Sequence, residues 1–228
     1  RYRRARGLSE GADLHSGVRV SLPPIAAPVV DAVSERTLPL APRRALFLDR
    51  DGVINVDHGY VHSQERTEWM PGIFELVGLA ASAGLVCVTV TNQAGISRGL
   101  YDDAQFRRYT EWMHGEFRAR NVPLLATYHC PHHPEAGAHA TICACRKPAP
   151  GMLLAAIRDF DIDPARSIMI GDKPGDIEAA ATAAIGFSVL IGDVRDNMQK
   201  DSRVEHARSL LQATEIVRRR LEQDAVDV

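Results

Sequence analysis

Ala45-Leu46-Phe47-Leu48-Asp49-Arg50-Asp51-Gly52 is the stretch that decides the fold. Leu46, Phe47 and Leu48 read as a buried parallel strand, because a short apolar run that ends at once in charge suits a strand covered on both faces. Asp49 and Asp51 then fall at its carboxyl end, where open α/β sheets bind ligands. Two like charges this close repel, so a cation is expected between them, most simply Mg²⁺. With that repulsion offset, the first Asp can attack a phosphorus atom. The second can trade protons with the leaving and entering oxygens.

Taken alone, an Asp-x-Asp pair is also what a strand end followed by a turn acid looks like. Three further segments change the reading. Val86–Thr91 is a second β-branched strand, ending in Thr91-Asn92-Gln93. Arg146-Lys147-Pro148 sets paired cations ahead of a predicted helix. Ser167–Asp172 is another buried strand ending in an acid, with Asp176 four residues on. Nucleophile, hydroxyl donor, lysine and metal acid, in this order, resemble the haloacid dehalogenase superfamily of phosphotransferases.

The chain has 228 residues and a net charge of −2. That length allows one α/β domain with a sizeable core, and the balanced charge gives no electrostatic case for nucleic acid or a membrane surface. No apolar run reaches the length of a membrane span. Arg1, Arg3, Arg4 and Arg6 read as a basic tail rather than a transit peptide, since Glu10 and Asp13 follow without an apolar stretch. The chain opens on Arg rather than Met, so residue 1 need not be the biological start. Cys87 lies within a strand and reads as a buried apolar thiol. The thiols are clustered rather than evenly spaced, which points to a reducing, cytoplasmic setting.

Residues 1–43 are rich in Arg, Ser, Pro and Ala and read as a flexible extension, with Val18–Val20 and Ala27–Val33 the stretches able to pair or dock locally. Residues 44–192 form the catalytic domain by pattern. Strands are expected at Ala45–Asp49, Leu85–Thr91, Ala126–His129, Ser167–Gly171 and Phe187–Ile191. Helices are expected after Pro71, at Asp103–Arg118, Gly151–Phe160 and Asp176–Ala184. Residues 193–228 are more polar and complete the domain with a helix over Ser209–Leu221. Alternation of strand and helix implies a Rossmann-like three-layer α/β sandwich with a central parallel sheet. No long insertion follows Asp51 or the second strand, so no separate cap domain is expected.

Cys130-Pro131-His132-His133-Pro134 precedes Cys143-Ala144-Cys145. Three thiols and one or two imidazoles in so short a span suit a closed, structural Zn²⁺ site. Such a site would staple loop 130–145, which has no core of its own, and would position the adjoining Arg146 and Lys147.

From about Ala45 to Ile191 the chain resembles the bacterial D-glycero-D-manno-heptose 1,7-bisphosphate 7-phosphatases. The resemblance is carried by Phe47–Gly52, Asn55–Val61, Val90–Ile96, Tyr128–Pro134, Cys143–Pro148 and Gly171–Lys173. It implies a capless haloacid dehalogenase fold with a zinc-bound loop. Asp49 would be the nucleophile, passing through an aspartyl-phosphate, and Asp51 the general acid and then the base. Asp49, the backbone carbonyl of Asp51 and Asp172 would hold Mg²⁺. Thr91 and Lys147 would steady the transferring phosphoryl group. Arg146 would recognise the sugar bisphosphate. Arg50, Asp57, His58, Gly59, Tyr60, Asn92, Gln93, Ala94 and Lys173 would serve the substrate pocket. Cys130, His132, Cys143 and Cys145 would bind Zn²⁺, leaving His133 out. The reaction would remove the 7-phosphate on the route to the heptose of lipopolysaccharide, in a cytoplasmic monomer acting on a small sugar bisphosphate. Histidinol-phosphate phosphatase, of the same capless zinc-loop group, is the nearest alternative. A non-catalytic, zinc-stapled interaction module is the alternative from another class. Pro174-Gly175 departs from the more polar pair of the family, and residues 1–43 have no counterpart in it.

Overall fold

The strand that carries Asp49 lies at the middle of the molecule because its side chains are apolar on both faces. Ala45 and Phe47 pack one way, and Leu46 and Leu48 the other, all fully buried. The computed structural model describes residues 24–135, 137, 140–192 and 201–226. In chain order its elements are β1 (Val29–Val30), α1 (Ala32–Arg36), β2 (Arg44–Leu48), α2 (Ile73–Ser82), β3 (Leu85–Asn92), α3 (Ala94–Ser97), α4 (Asp103–Ala119), β4 (Ala126–Cys130), α5 (Gly151–Phe160), β5 (Ile168–Gly171), α6 (Pro174–Thr182), β6 (Phe187–Ile191), β7 (Val204–Ala207) and α7 (Leu210–Val226).

The strands form one sheet in the order β1-β4-β3-β2-β5-β6-β7, parallel throughout except for β1. The chain runs outward from β2 through β3 and β4, then returns to lay β5 on the other side of β2. The β2–β5 boundary is therefore the topological switch point, and a crevice opens at its carboxyl end. One apolar layer sets Leu46, Leu48, Ile168, Ile170 and Val189 against Ile73, Leu76 and Val77 of α2 and Ala213, Ile216 and Val217 of α7. The other sets Phe47, Val88, Val90 and Met169 against Met152, Ala155 and Ala156 of α5 and Ala179 and Ala180 of α6. This is the expected three-layer arrangement. Between β2 and α2 the chain holds one short 3₁₀ turn, Gln64–Arg66, and no inserted domain.

The structure corrects the outer boundaries. Residues 24–43, read as part of a flexible extension, carry β1 and α1. Val29 and Val30 pair antiparallel with Thr127 and Ala126 at the sheet edge, within the stretch expected to dock. Asp31 caps α1 by accepting from the Val33 and Ser34 amides at 2.9 Å, and it pairs with Arg118 of α4. These two-residue and five-residue elements are too short to show periodicity, and a partner strand creates them. The sequence pattern also passed over β7, whose residues Val204–Ala207 extend the sheet beyond β6. α6 begins at Pro174 rather than Asp176, as suits a proline at a first helical position, and Asp176 caps it by accepting from the Lys173 amide at 3.0 Å. The basic tail and the Val18–Val20 stretch lie outside the described residues.

Candidate active site

β2 ends at Leu48, so Asp49 is the first residue past the sheet. Its amide donates to the Ile170 carbonyl at 3.0 Å, which ties it to β5. After it the chain folds back tightly: the Ile54 amide reaches the Arg50 carbonyl at 2.8 Å and the Gly52 amide reaches the Asn55 carbonyl at 2.7 Å. Gly52 has φ +97°, and a Cβ there would collide with the Asp172 carboxylate, so only glycine lets this turn close against β5.

Lys147 Nζ lies 2.7 Å from Asp49 Oδ1, 2.6 Å from Asp176 Oδ1 and 2.6 Å from the Val90 carbonyl. Asn92 locks the lysine in place, accepting from its amide and donating to its carbonyl, each at 3.0 Å. Burial opposes the Lys147 charge, but the carboxylates of Asp49 and Asp176 outweigh it and hold the ammonium above its ordinary pKa. Burial pushes Asp49 up to about 7 against the pull of Lys147, with Asp176 and Asp172 adding repulsion. Asp172 is raised too, chiefly by burial.

Carboxylate oxygens of Asp49, Asp172 and Asp176 lie within 4.8 Å of one another. Asp172 Oδ1 is buried without a hydrogen-bond partner. An unpartnered buried carboxylate oxygen, facing two further acids, is a donor set that fits a hard divalent cation such as Mg²⁺.

Asp51 is held differently. Arg50 reaches its two oxygens at 2.8 and 3.0 Å, Asn55 Nδ2 donates at 3.0 Å and Gln93 Nε2 at 3.1 Å. Burial works against the charge, but Arg50 and these donors prevail and keep the carboxyl below its ordinary range. Arg50 itself is fully buried, donates to the Val61 carbonyl at 2.6 Å and lies over the Tyr109 ring. It does not line the pocket, contrary to the expectation of a substrate contact. With Asp49 and Asp51 turned to the crevice, Arg50 between them turns into the protein, toward Val61 and Tyr109.

The crevice is a pocket of about 530 Å³. Of the residues expected there, Asp49, Asp51, Asp57, Gly59 and Tyr60 line it from the β2 side. Thr91, Asn92, Gln93 and Ala94 line it from the end of β3, and Arg146, Lys147 and Lys173 from the facing loops. His58 is not brought in: its ring is exposed and meets Glu68 at 2.9 Å. Lys173 does turn inward, 3.5 Å from Asp57 and 3.4 Å from Asp172. Tyr101 also lines the pocket and was not singled out from the sequence, where it follows Gly99-Leu100 without a motif to mark it. Asp176, four residues beyond the strand-end acid Asp172, joins the acidic cluster through its contact with Lys147.

Beside the pocket, the side chains of Cys130, His132, Cys143 and Cys145 converge. Cys130 Sγ is 3.2 Å from Cys145 Sγ, 3.6 Å from Cys143 Sγ and 3.6 Å from His132 Nδ1. Tetrahedral zinc with Zn–S of about 2.3 Å spaces its ligands by roughly 3.6–3.8 Å, which two of these separations match and the Cys130–Cys145 one falls short of; three thiols and an imidazole converging this closely are a donor set suited to that ion. His133 turns away toward Arg98 and the Glu135 amide. The Gln93 amide donates to the Cys130 carbonyl at 2.8 Å and Arg146 Nη1 to the His132 carbonyl at 3.2 Å, joining this cluster to the pocket wall.

Residues 144–203 match the HAD-hydrolase-like family. The chain is 49% identical over 152 residues to the D-glycero-alpha-D-manno-heptose-1,7-bisphosphate 7-phosphatase of Burkholderia mallei, covering 66% of this chain and 80% of that one. It is 46% identical over 169 residues to the D-glycero-beta-D-manno-heptose-1,7-bisphosphate 7-phosphatase of Photorhabdus laumondii, covering 73% and 88%. The crystal structure of D,D-heptose 1,7-bisphosphate phosphatase from B. bronchiseptica, complexed with magnesium and phosphate, superposes with a TM-score of 0.65 at 29% identity, covering 78% of this chain and 99% of that one.

Proposed function

Because the chain belongs to the heptose-1,7-bisphosphate 7-phosphatase family of haloacid dehalogenase-like hydrolases, we propose that it hydrolyses the 7-phosphate of D-glycero-D-manno-heptose 1,7-bisphosphate, toward the heptose of lipopolysaccharide. One observation carries the chemistry: Asp49 stands at the switch point with its carboxylate on Lys147 and beside the acids Asp172 and Asp176. Asp49 attacks phosphorus, the bond to the sugar oxygen breaks, and Asp51 delivers a proton to that oxygen. For this step Asp51 must carry a proton, and a bound phosphate dianion raises its pKa in the right direction. Asp51 then takes a proton from the water that cleaves the aspartyl-phosphate, a role its donor-held carboxylate suits.

Thr91 and Lys147 hold the equatorial phosphoryl oxygens, where charge shifts in the transition state. Mg²⁺, when bound by Asp49, Asp172 and the Asp51 carbonyl, supplies charge neutralisation between nucleophile and phosphate. Arg146 and Lys173 face the rest of the substrate, with Asp57 and Tyr60 at the rim. Zinc on Cys130, His132, Cys143 and Cys145 is structural, since four protein ligands close its shell. None of the four cysteines is paired in a disulfide, which suits a reducing, cytoplasmic setting.

The test is phosphate release from both C1 anomers of heptose 1,7-bisphosphate and from histidinol phosphate, by the wild type and Asp49→Asn. Turnover of the bisphosphate, lost by at least about a thousandfold in a folded Asp49→Asn, is expected. A faster rate on histidinol phosphate would favour the alternative reading, which the named relatives do not. Phosphate release by the folded Asp49→Asn variant would refute the nucleophile.

A further inference from the structure

Gln93 lines the pocket, yet its side chain is committed to the protein. Its Nε2 lies 2.7 Å from Thr91 Oγ1 and 3.1 Å from Asp51 Oδ2, and its Oε1 lies 2.5 Å from the Tyr101 hydroxyl. Chemistry fixes which end is which. An ionised Asp51 only accepts, so the amide nitrogen must face it, and the amide oxygen must then face Tyr101, whose hydroxyl donates. Tyr101 is 4% exposed, stacks on His62 with ring centroids 4.6 Å apart, and packs so closely on Gly95 that a Cβ there would collide with its ring.

We propose that Gln93 and Tyr101 are positioning residues: Tyr101 fixes the orientation of the Gln93 amide, and the amide sets the directions of Thr91 and Asp51. A Thr91 oxygen that accepts from Gln93 has its own proton left to donate outward, toward a phosphoryl oxygen. The same NH₂ group holds Asp51 Oδ2. With the amide reversed, a carbonyl oxygen would face the Asp51 carboxylate, and the Thr91 proton would be drawn inward. The inference rests on the phosphatase reading. It moves Gln93 from substrate contact to alignment of two groups that act on the phosphate, and it gives Tyr101 a role that reaches the reaction through Gln93.

Wild-type turnover of heptose bisphosphate, measured first, decides the phosphatase reading on its own. Variant kinetics relative to it then decide this one. Tyr101→Phe keeps the ring and removes the hydroxyl. It is expected to lower kcat about tenfold with KM within about twofold, and Gln93→Leu to lower kcat about a hundredfold. The double variant should be no slower than Gln93→Leu, as expected when Tyr101 acts through Gln93. Multiplying losses, an unchanged kcat in Tyr101→Phe, or losses confined to KM would overturn the proposal. Should Tyr101→Phe fail to fold, Gln93→Glu carries the test. Its carboxylate has the same shape and still accepts from Tyr101, but it cannot donate to Asp51 or Thr91. A kcat as low as that of Gln93→Leu supports the proposal, and a near-wild-type kcat overturns it.

Discussion

Lys147 Nζ lies 2.7 Å from Asp49 Oδ1, across 98 residues of chain, and the same ammonium lies 2.6 Å from Asp176 Oδ1. One buried cation thus holds two acids on two separate connections of the sheet. Arg146, the neighbouring residue, is tied to the His132 carbonyl and reaches the outer pocket.

These two cations should fail differently. Lys147→Ala should lower kcat at least about a hundredfold with little change in KM, because its charge meets the transferring group. It should also destabilise the metal-free fold by about 3 kcal/mol, since two buried acids lose their partner. Arg146→Ala should raise KM about tenfold for the bisphosphate and less for a sugar monophosphate, as expected of a guanidinium that reads the second phosphate. Equal losses on both substrates would remove that role.

Removal of Mg²⁺ by EDTA should abolish turnover, and Mg²⁺ alone should restore it while zinc is retained. Asp172→Asn should weaken Mg²⁺ activation about tenfold or more, seen as a rightward shift of the Mg²⁺ titration. Full activity in the metal-free protein would contradict the reading of the Asp49, Asp172 and Asp176 cluster.

Elemental analysis of freshly purified, reduced protein should find about one zinc per chain. Cys143→Ser should lower Tm by at least about 5 °C, the size expected for a loss of about 2 kcal/mol in a chain of this length. Activity should fall with it, because Arg146 and Lys147 continue directly from that loop. An unchanged Tm and rate would make the cluster incidental.

His114 gives a test of the fold by pH. It is buried against Thr127 Oγ1 at 2.8 Å, and burial holds it down to about 4 from an ordinary 6.5, with Asp31 opposing and Arg118 assisting. The unfolded chain therefore binds this proton first. The stability of the neutral buried ring is complete above about pH 6.5 and declines as pH falls toward 4, by up to about 1.4 kcal/mol per pH unit. His114→Gln should flatten the acid limb of stability against pH by about that slope. An unchanged slope in denaturant titrations would show that other groups set it.

The sequence by itself determined the sheet and most of the chemistry. Leu46–Leu48, Val86–Thr91, Ile168–Gly171 and Phe187–Ile191 are short, largely apolar or β-branched runs without charge, and a run of that kind has few ways to be buried other than as a central parallel strand. Acids placed at the ends of such strands must meet at the switch point, so Asp49, Asp51 and Asp172 were legible together. The convergence of Cys130, His132, Cys143 and Cys145 was legible because three of the four cysteines fall close together in the chain.

Tertiary structure decided what depends on a partner far away in the chain. β1 and α1 exist because β4 offers an edge and Arg118 a counter-charge to Asp31, and neither is visible within five residues of local pattern. Arg50 reads as a pocket residue by adjacency, but the turn that follows β2 sets it inward against Tyr109. Gln93 falls within the Val90–Ile96 motif and Tyr101 within none, but their meaning lies in which hydrogen-bonding atom faces which. That is settled only when β3, the β2 turn and the loop after α3 are packed together, because a hydrogen bond selects direction and a sequence records only the groups able to make one.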